Sequence, residues 1–135
     1  MANLKSSLTK WSPVIQSVMR IIIALLFIEH GTEKLFSFPV GIEGITISAF
    51  SLLWFAAVLE FLGGLLLLLG LFTRPAAFIL AGEMASAYFI AHAPKSFWPI
   101  VNQGELAILY CFVFLYLAFA GGGKWSLDRA LRKID

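Results

Sequence analysis

One cysteine, Cys111, stands in a chain of 135 residues. No disulfide can close within it, so a small secreted scaffold held by bridges is excluded. Dithiol redox chemistry would need a thiol from elsewhere, and Cys111 is read as a small apolar helix residue. Charge is also scarce. Asp, Glu, Lys and Arg make up 13% of the chain, against roughly 25% in an ordinary soluble domain. The net charge is only +2 and no basic stripe lies outside the tails, which argues against a nucleic-acid partner. There are two histidines, His30 and His92, and no Cys-x-x-Cys-His haem attachment motif. A Gly-rich phosphate loop is lacking too. Gly121, Gly122 and Gly123 close an apolar run instead of opening one, the wrong end of a helix for an anion.

What the chain has is apolar surface. Hydrophobic residues make up 60% of it and the mean hydropathy is +0.89. A water-soluble fold of this size could not bury so much, because small domains keep a large surface for their volume. The expectation is an all-α integral membrane protein, one domain over residues 1–135, folded as a four-helix bundle. A spanning helix needs about 20 mostly apolar residues. Four stretches approach this: 14–36, 51–72, 76–92 and 104–120. Pro39, Gly41 and Gly44 mark the first connection. Thr73-Arg74-Pro75 marks a tight turn, with Pro75 suited to open the third helix. Pro94, Pro99 and Gly104 bracket the next connection, and the glycine run ends the fourth helix. Ser126 is placed to cap a short amphipathic tail helix over 126–134. The N-terminal lysines followed by an apolar run resemble a signal peptide, but the run is too long and no small-x-small cleavage site follows, so an uncleaved first helix is expected.

Basic residues near the helix ends set orientation. With four spans, both tails and the Arg74 turn share one side. That side holds Lys5, Lys10, Arg74, Lys124, Arg129, Arg132 and Lys133, whereas the other holds Lys34 and Lys95. Both termini are therefore expected to be cytoplasmic. Trp11 and Trp125 fall at the inner boundary and Trp54 and Trp98 at the outer one, as an aromatic belt requires.

Ionisable residues inside spans are costly and are candidate functional groups. Counting about 1.5 Å per residue from the cytoplasmic ends, Arg20 stands about 10 Å up and Glu83 about 12 Å. Glu60 stands about 21 Å up, with Glu29, His30 and Glu105 at about 24–26 Å. The lower layer suggests a structural ion pair of Arg20 with Glu83, fastening helices one and three. The upper layer holds Glu60 and Glu105 as candidate catalytic carboxylates. Buried paired acids share protons easily, which suits proton-coupled chemistry. His30, Lys34 and Asn102 are candidate ligand-binding residues beside them. The same groups could instead hold a divalent metal, though no metal site is assigned, or simply form a polar knot that closes the bundle. The connecting loops are apolar for exposed segments. Phe36, Phe38, Phe97 and Trp98 lie in them, so an amphipathic quinone or lipid could enter there, with Trp98 against its ring. The plainer alternative is interfacial anchoring.

Several ordered segments resemble the DoxX family of small four-helix bacterial membrane proteins. Arg20 precedes His30-Gly31-Thr32-Glu33-Lys34-Leu35. Glu60-Phe61-Leu62-Gly63-Gly64 leads to Gly70-Leu71-Phe72-Thr73-Arg74. Glu83-Met84-Ala85-Ser86-Ala87, Asn102-Gln103-Gly104-Glu105 and Gly121-Gly122-Gly123-Lys124-Trp125-Ser126-Leu127-Asp128 follow. The resemblance implies a bundle in the bacterial inner membrane. The family name is similar to that of the DoxD subunit of a thiosulfate:quinone oxidoreductase, and some members are linked to membrane redox or oxidative-stress assemblies. It implies no agreed catalytic set. The expectation is a small redox component that binds quinone in the outer half of the bundle, surrounded by membrane lipid. Its electrons would come from a protein partner, and a homo-oligomer is the other expected association. The alternatives are a non-enzymatic assembly or cargo-binding subunit, and a carrier for a small solute or metal.

Overall fold

The computed structural model describes residues 2–133. It is all-helical, with no strand among the described residues. The elements are α1 (Ala2–Phe36), α2 (Leu52–Leu69), α3 (Thr73–Ala87), a π-helical turn (Tyr88–His92), α4 (Pro99–Asn102), α5 (Glu105–Ala120) and α6 (Leu127–Arg132).

The expected boundaries hold best where capping residues mark them. Ser51 caps α2 by accepting from the Trp54 N–H. Gly104 precedes α5 and Gly121 follows it. Ser126 caps α6 by accepting from the Arg129 N–H; position 134 of the expected tail helix lies outside the described residues. Three boundaries differ. The second helix ends at Leu69 and not at 72, because Gly70 takes a left-handed conformation at φ +66° that a Cβ would strain. The first helix begins at residue 2, passing through Pro13. The preceding residues 3–12 are exposed, so the carbonyl that Pro13 cannot serve still reaches solvent. The third helix begins at Thr73, before Pro75. Pro75 falls within the first turn, where backbone N–H groups lack helical partners anyway.

α1 packs antiparallel along α2, and α3 along α5; the α2–α3 contact is sparser. α1 and α2 approach closely because Gly31 has no side chain: a Cβ there would lie 2.7 Å from the Phe61 backbone nitrogen. The core runs through Ala24, Phe27, Leu67, Leu80, Phe114 and Leu117. Outward positions on the same helices are apolar as well, among them Ile22, Leu25, Leu62, Phe78 and Phe112. A fold apolar both inside and outside suits hydrocarbon surroundings. By length and composition, two helices can cross a membrane, over 3–36 and 52–69; the helix over 105–120 is apolar but shorter.

One end of the bundle is tied by polar groups. Arg20 is fully buried. Its Nε donates to the Gly122 carbonyl at 2.9 Å, its Nη1 to the Leu67 and Leu68 carbonyls, and its Nη2 to the Trp125 carbonyl at 2.6 Å. The Leu67 and Leu68 carbonyls belong to the last turn of α2, where helical partners run out. Arg20 thus caps α2 and clasps the tail. The expected Arg20–Glu83 ion pair does not form. The guanidinium is spent on carbonyls, and both Glu83 carboxyl oxygens are buried without a hydrogen-bond partner among the described residues.

Asp128 completes this end. Its two carboxyl oxygens accept the N–H groups of Phe72 and Thr73 at 2.8 Å each, at the start of α3. Burial pushes the Asp128 carboxyl up, but hydrogen bonds from Thr73 and Phe72, together with nearby Arg132, outweigh it and hold the group below its ordinary value.

Candidate functional site

Lys34 and Glu60 meet across α1 and α2. Helical side chains lean toward their own helix N-terminus. In an antiparallel pair, the α1 lysine and the α2 glutamate therefore lean toward each other. The Lys34 Nζ donates to Glu60 Oε1 at 2.5 Å and to Oε2 at 2.6 Å. Both side chains are largely buried.

Glu83 joins them from α3. Gly63 of α2 faces the Leu80 side chain of α3. One turn further along each helix, antiparallel, brings Glu60 and Glu83 to the same level. Measured from the true helix ends, Glu60 stands about 14 Å above Leu69 and Glu83 about 15 Å above Thr73. Residues 70–72 form the turn and add no helical rise, so Glu60 belongs at the middle of α2 and not in its outer part. The expected two-layer arrangement is corrected accordingly.

The three side chains line a cavity of about 560 Å³ between α2 and α3. Its walls are mostly apolar, with Leu53, Phe55, Leu59, Ile79 and Ile90 among them. These five are also exposed on the outer surface, so the cavity opens sideways, where a bilayer would lie. The π-helical turn contributes Ile90, Ala91 and His92 to the wall; such turns are frequent at functional sites. The His92 Nδ1 donates to the Asn102 carbonyl at 2.9 Å, since a carbonyl can only accept. His92 was missed as a site residue because its sequence neighbours form no motif.

The remaining expected site residues lie elsewhere. Glu105 is exposed on the first turn of α5 and does not line the cavity with Glu60. Its helix buries Ala107, Tyr110, Phe114 and Leu117, and Glu105 falls off that face. His30 sits edge-on to Phe27 and Tyr110, with ring centroids 6.5 and 5.8 Å away. Asn102 is buried but serves the loop. Its Nδ2 donates to the Ser96 carbonyl at 2.9 Å, and its Oδ1 accepts the Gly104 N–H at 2.7 Å. Trp98 is 64% exposed and packs edge-on against Phe97, outside the cavity. Among the described residues, no three His, Cys, Asp or Glu side chains gather closely enough to hold a metal ion.

The chain resembles membrane proteins of several bacteria. It is 45% identical to an uncharacterized protein of Haemophilus influenzae, over 95% of this chain and 98% of that one. It is 33% identical to the inner membrane protein YqjF of Escherichia coli, over 86% and 91% of the two chains. It is 28% identical to an uncharacterized membrane protein of Mycobacterium tuberculosis, over 85% and 80%. No solved structure matches it. The DoxX family profile matches residues 15–93. That span holds α2, α3 and the Lys34–Glu60–Glu83 group, and it covers more than half of the chain: this is a membrane protein of the DoxX family.

Proposed function

We propose that this protein is a small redox-associated component of the bacterial inner membrane, which takes an amphipathic ligand of the quinone class from the lipid into the cavity between α2 and α3. The observation that carries this reading is a buried ion pair, Lys34–Glu60, beside Glu83, which has no hydrogen-bond partner among the described residues, in an apolar cavity that opens sideways. Ionisable groups held in a membrane fold mark ligand or proton pathways. A flat ring and tail match the apolar walls, and ring oxygens match the polar group. Glu83 takes the proton-exchanging role expected of Glu105, and electrons enter through a protein partner.

The chain crosses the membrane with α1, α2, the continuous α3 and π-turn segment, and α5, and both termini are cytoplasmic. Two observations support this topology. The start of α1's bundled part, the α2–α3 turn and the tail meet at one end, where the Lys124 N–H donates to the Pro13 carbonyl. Seven basic residues lie at that end against two at the other.

The test is solvent extraction of protein purified in native lipid discs, followed by mass spectrometry for quinone. Wild type is expected to carry near-stoichiometric quinone or quinol, and a Lys34→Met, Glu60→Met double variant none beyond bulk lipid. Equal quinone in both would overturn the reading.

A further inference from the structure

We infer that two copies of this chain associate side by side along α1, as a parallel coiled coil whose seam runs from Leu4 to Leu25. α1 has 35 residues and is about 52 Å long, against about 30 Å of hydrocarbon. Its later part belongs to the bundle, and the tail meets it at the Pro13 carbonyl. The overhang is therefore residues 3–12, ahead of the bundle and outside the hydrocarbon. That segment is apolar at three positions only, Leu4, Leu8 and Trp11, and all three are exposed. Every other residue in it is polar.

The spacing identifies what covers them. Leu4, Leu8 and Trp11 stand four and three residues apart, and the same alternation continues inside the span through Ile15, Val18, Ile22 and Leu25, all exposed as well. A strict four-three alternation is the 3.5-residue repeat of a coiled-coil seam, which a second helix fits by inserting knobs into holes. The next position in register is Glu29, which ends the apolar run. Lipid can cover the part inside the span but not Leu4 and Leu8, which are 66% and 64% exposed beyond it. A helix resting on a membrane surface needs a broader apolar face than one residue in each turn. The bundle uses the opposite face of α1, where Ser17, Arg20, Ala24 and Phe27 are buried, and no seam residue lines the cavity between α2 and α3. A second copy carries the same seam in the same register and enters the membrane the same way round, so the two helices run parallel. Charge permits this pairing. Flanking the seam, Ser7 of one copy faces Ser12 of the other, Val14 faces Met19 and Ile21 faces Leu26, while Lys5 and Lys10 fall outside these pairs. A groove of about 330 Å³ beside the seam, between Trp11, Ile15 and Met19 of α1 and Tyr116 of α5, leaves room for side chains of the second copy.

Cysteine cross-linking of the full chain in isolated native membranes tests this, in a Cys111→Ser background. Leu8→Cys lies on the seam and Ser6→Cys on the opposite side of the helix. Under mild oxidation Leu8→Cys is expected to give at least about fivefold more covalent dimer than Ser6→Cys. Native mass spectrometry of wild type, extracted with its lipid, is expected to show two copies. The Leu4→Glu, Leu8→Glu double variant, altered only in the overhang, should weaken the dimer at least about tenfold. No cross-link at position 8, or as much at position 6, would overturn the interface, and so would a wild-type monomer. A spin label at Leu8→Cys found among lipid head groups would then assign residues 3–12 to the membrane surface instead.

Discussion

Glu60 and Lys34 each carry a charge that hydrocarbon surroundings would reject singly, and each is tolerated because the other is within hydrogen-bond reach. Such a pair stabilises little in net terms, yet removing one partner leaves a buried charge uncompensated. Glu60→Gln should therefore destabilise the folded protein by about 3 kcal/mol, whereas the Lys34→Met, Glu60→Met double variant should lose much less. Reversible unfolding in mild detergent measures both, and additive losses would contradict the coupling. Lys34 and Glu60 were legible in the sequence as charges in apolar runs. Their mutual contact was not, because it depends on which way two antiparallel helices lean their side chains. Arg20 shows the other limit. It reads as half of an ion pair because acids are visible in a sequence, whereas the carbonyls of Gly122, Leu67, Leu68 and Trp125 that it binds could be any residue's.

At the scale of elements, caps and turns decide what was readable. Ser51, Gly104 and Gly121 mark α2 and α5 because each has a conformational or capping reason to sit there, whereas the stop at Gly70 was read through. Counting helical rise through the turn as far as Arg74 raised Glu60 by about 7 Å, more than one turn, and so separated it from Glu83. Asp128 escaped notice as a cap, since the helix start it serves lies 55 positions away in the chain. It gives the tail a pH-dependent hold on α3. Its carboxyl is held below the ordinary value. The stabilisation is thus complete above the unfolded value of about 4 and is lost as pH falls through the lower folded value. Asp128→Asn should cost about 1 kcal/mol at neutral pH, the scale of a lost charged N-cap. The gap between variant and wild type should close below about pH 4. Unfolding midpoints across that range measure it, and a gap constant with pH would contradict the assignment.

The whole molecule sets an ion-paired, mid-height polar group inside a bundle whose outer surface is apolar. The bundle's membrane class was plain in its composition, and its polar end in the basic residues of the tails. The cavity was not, since it arises where the sparser α2–α3 contact leaves room, a property of packing and not of any one segment. If the termini are cytoplasmic as proposed, reporters fused at either end will be active only as cytoplasmic reporters, and an alkaline phosphatase fusion active at either end would contradict the topology.

The central claim is that the cavity between α2 and α3 holds the ligand, and photoaffinity labelling tests it most directly. An azido-benzoquinone with a decyl tail, cross-linked in native lipid discs and mapped by peptide mass spectrometry, should label residues within 52–60 and 79–92. Unlabelled quinol should compete this labelling away, and the Lys34→Met, Glu60→Met variant should lose it. Labelling spread over the outward faces of α1 and α5, without competition, would contradict the account.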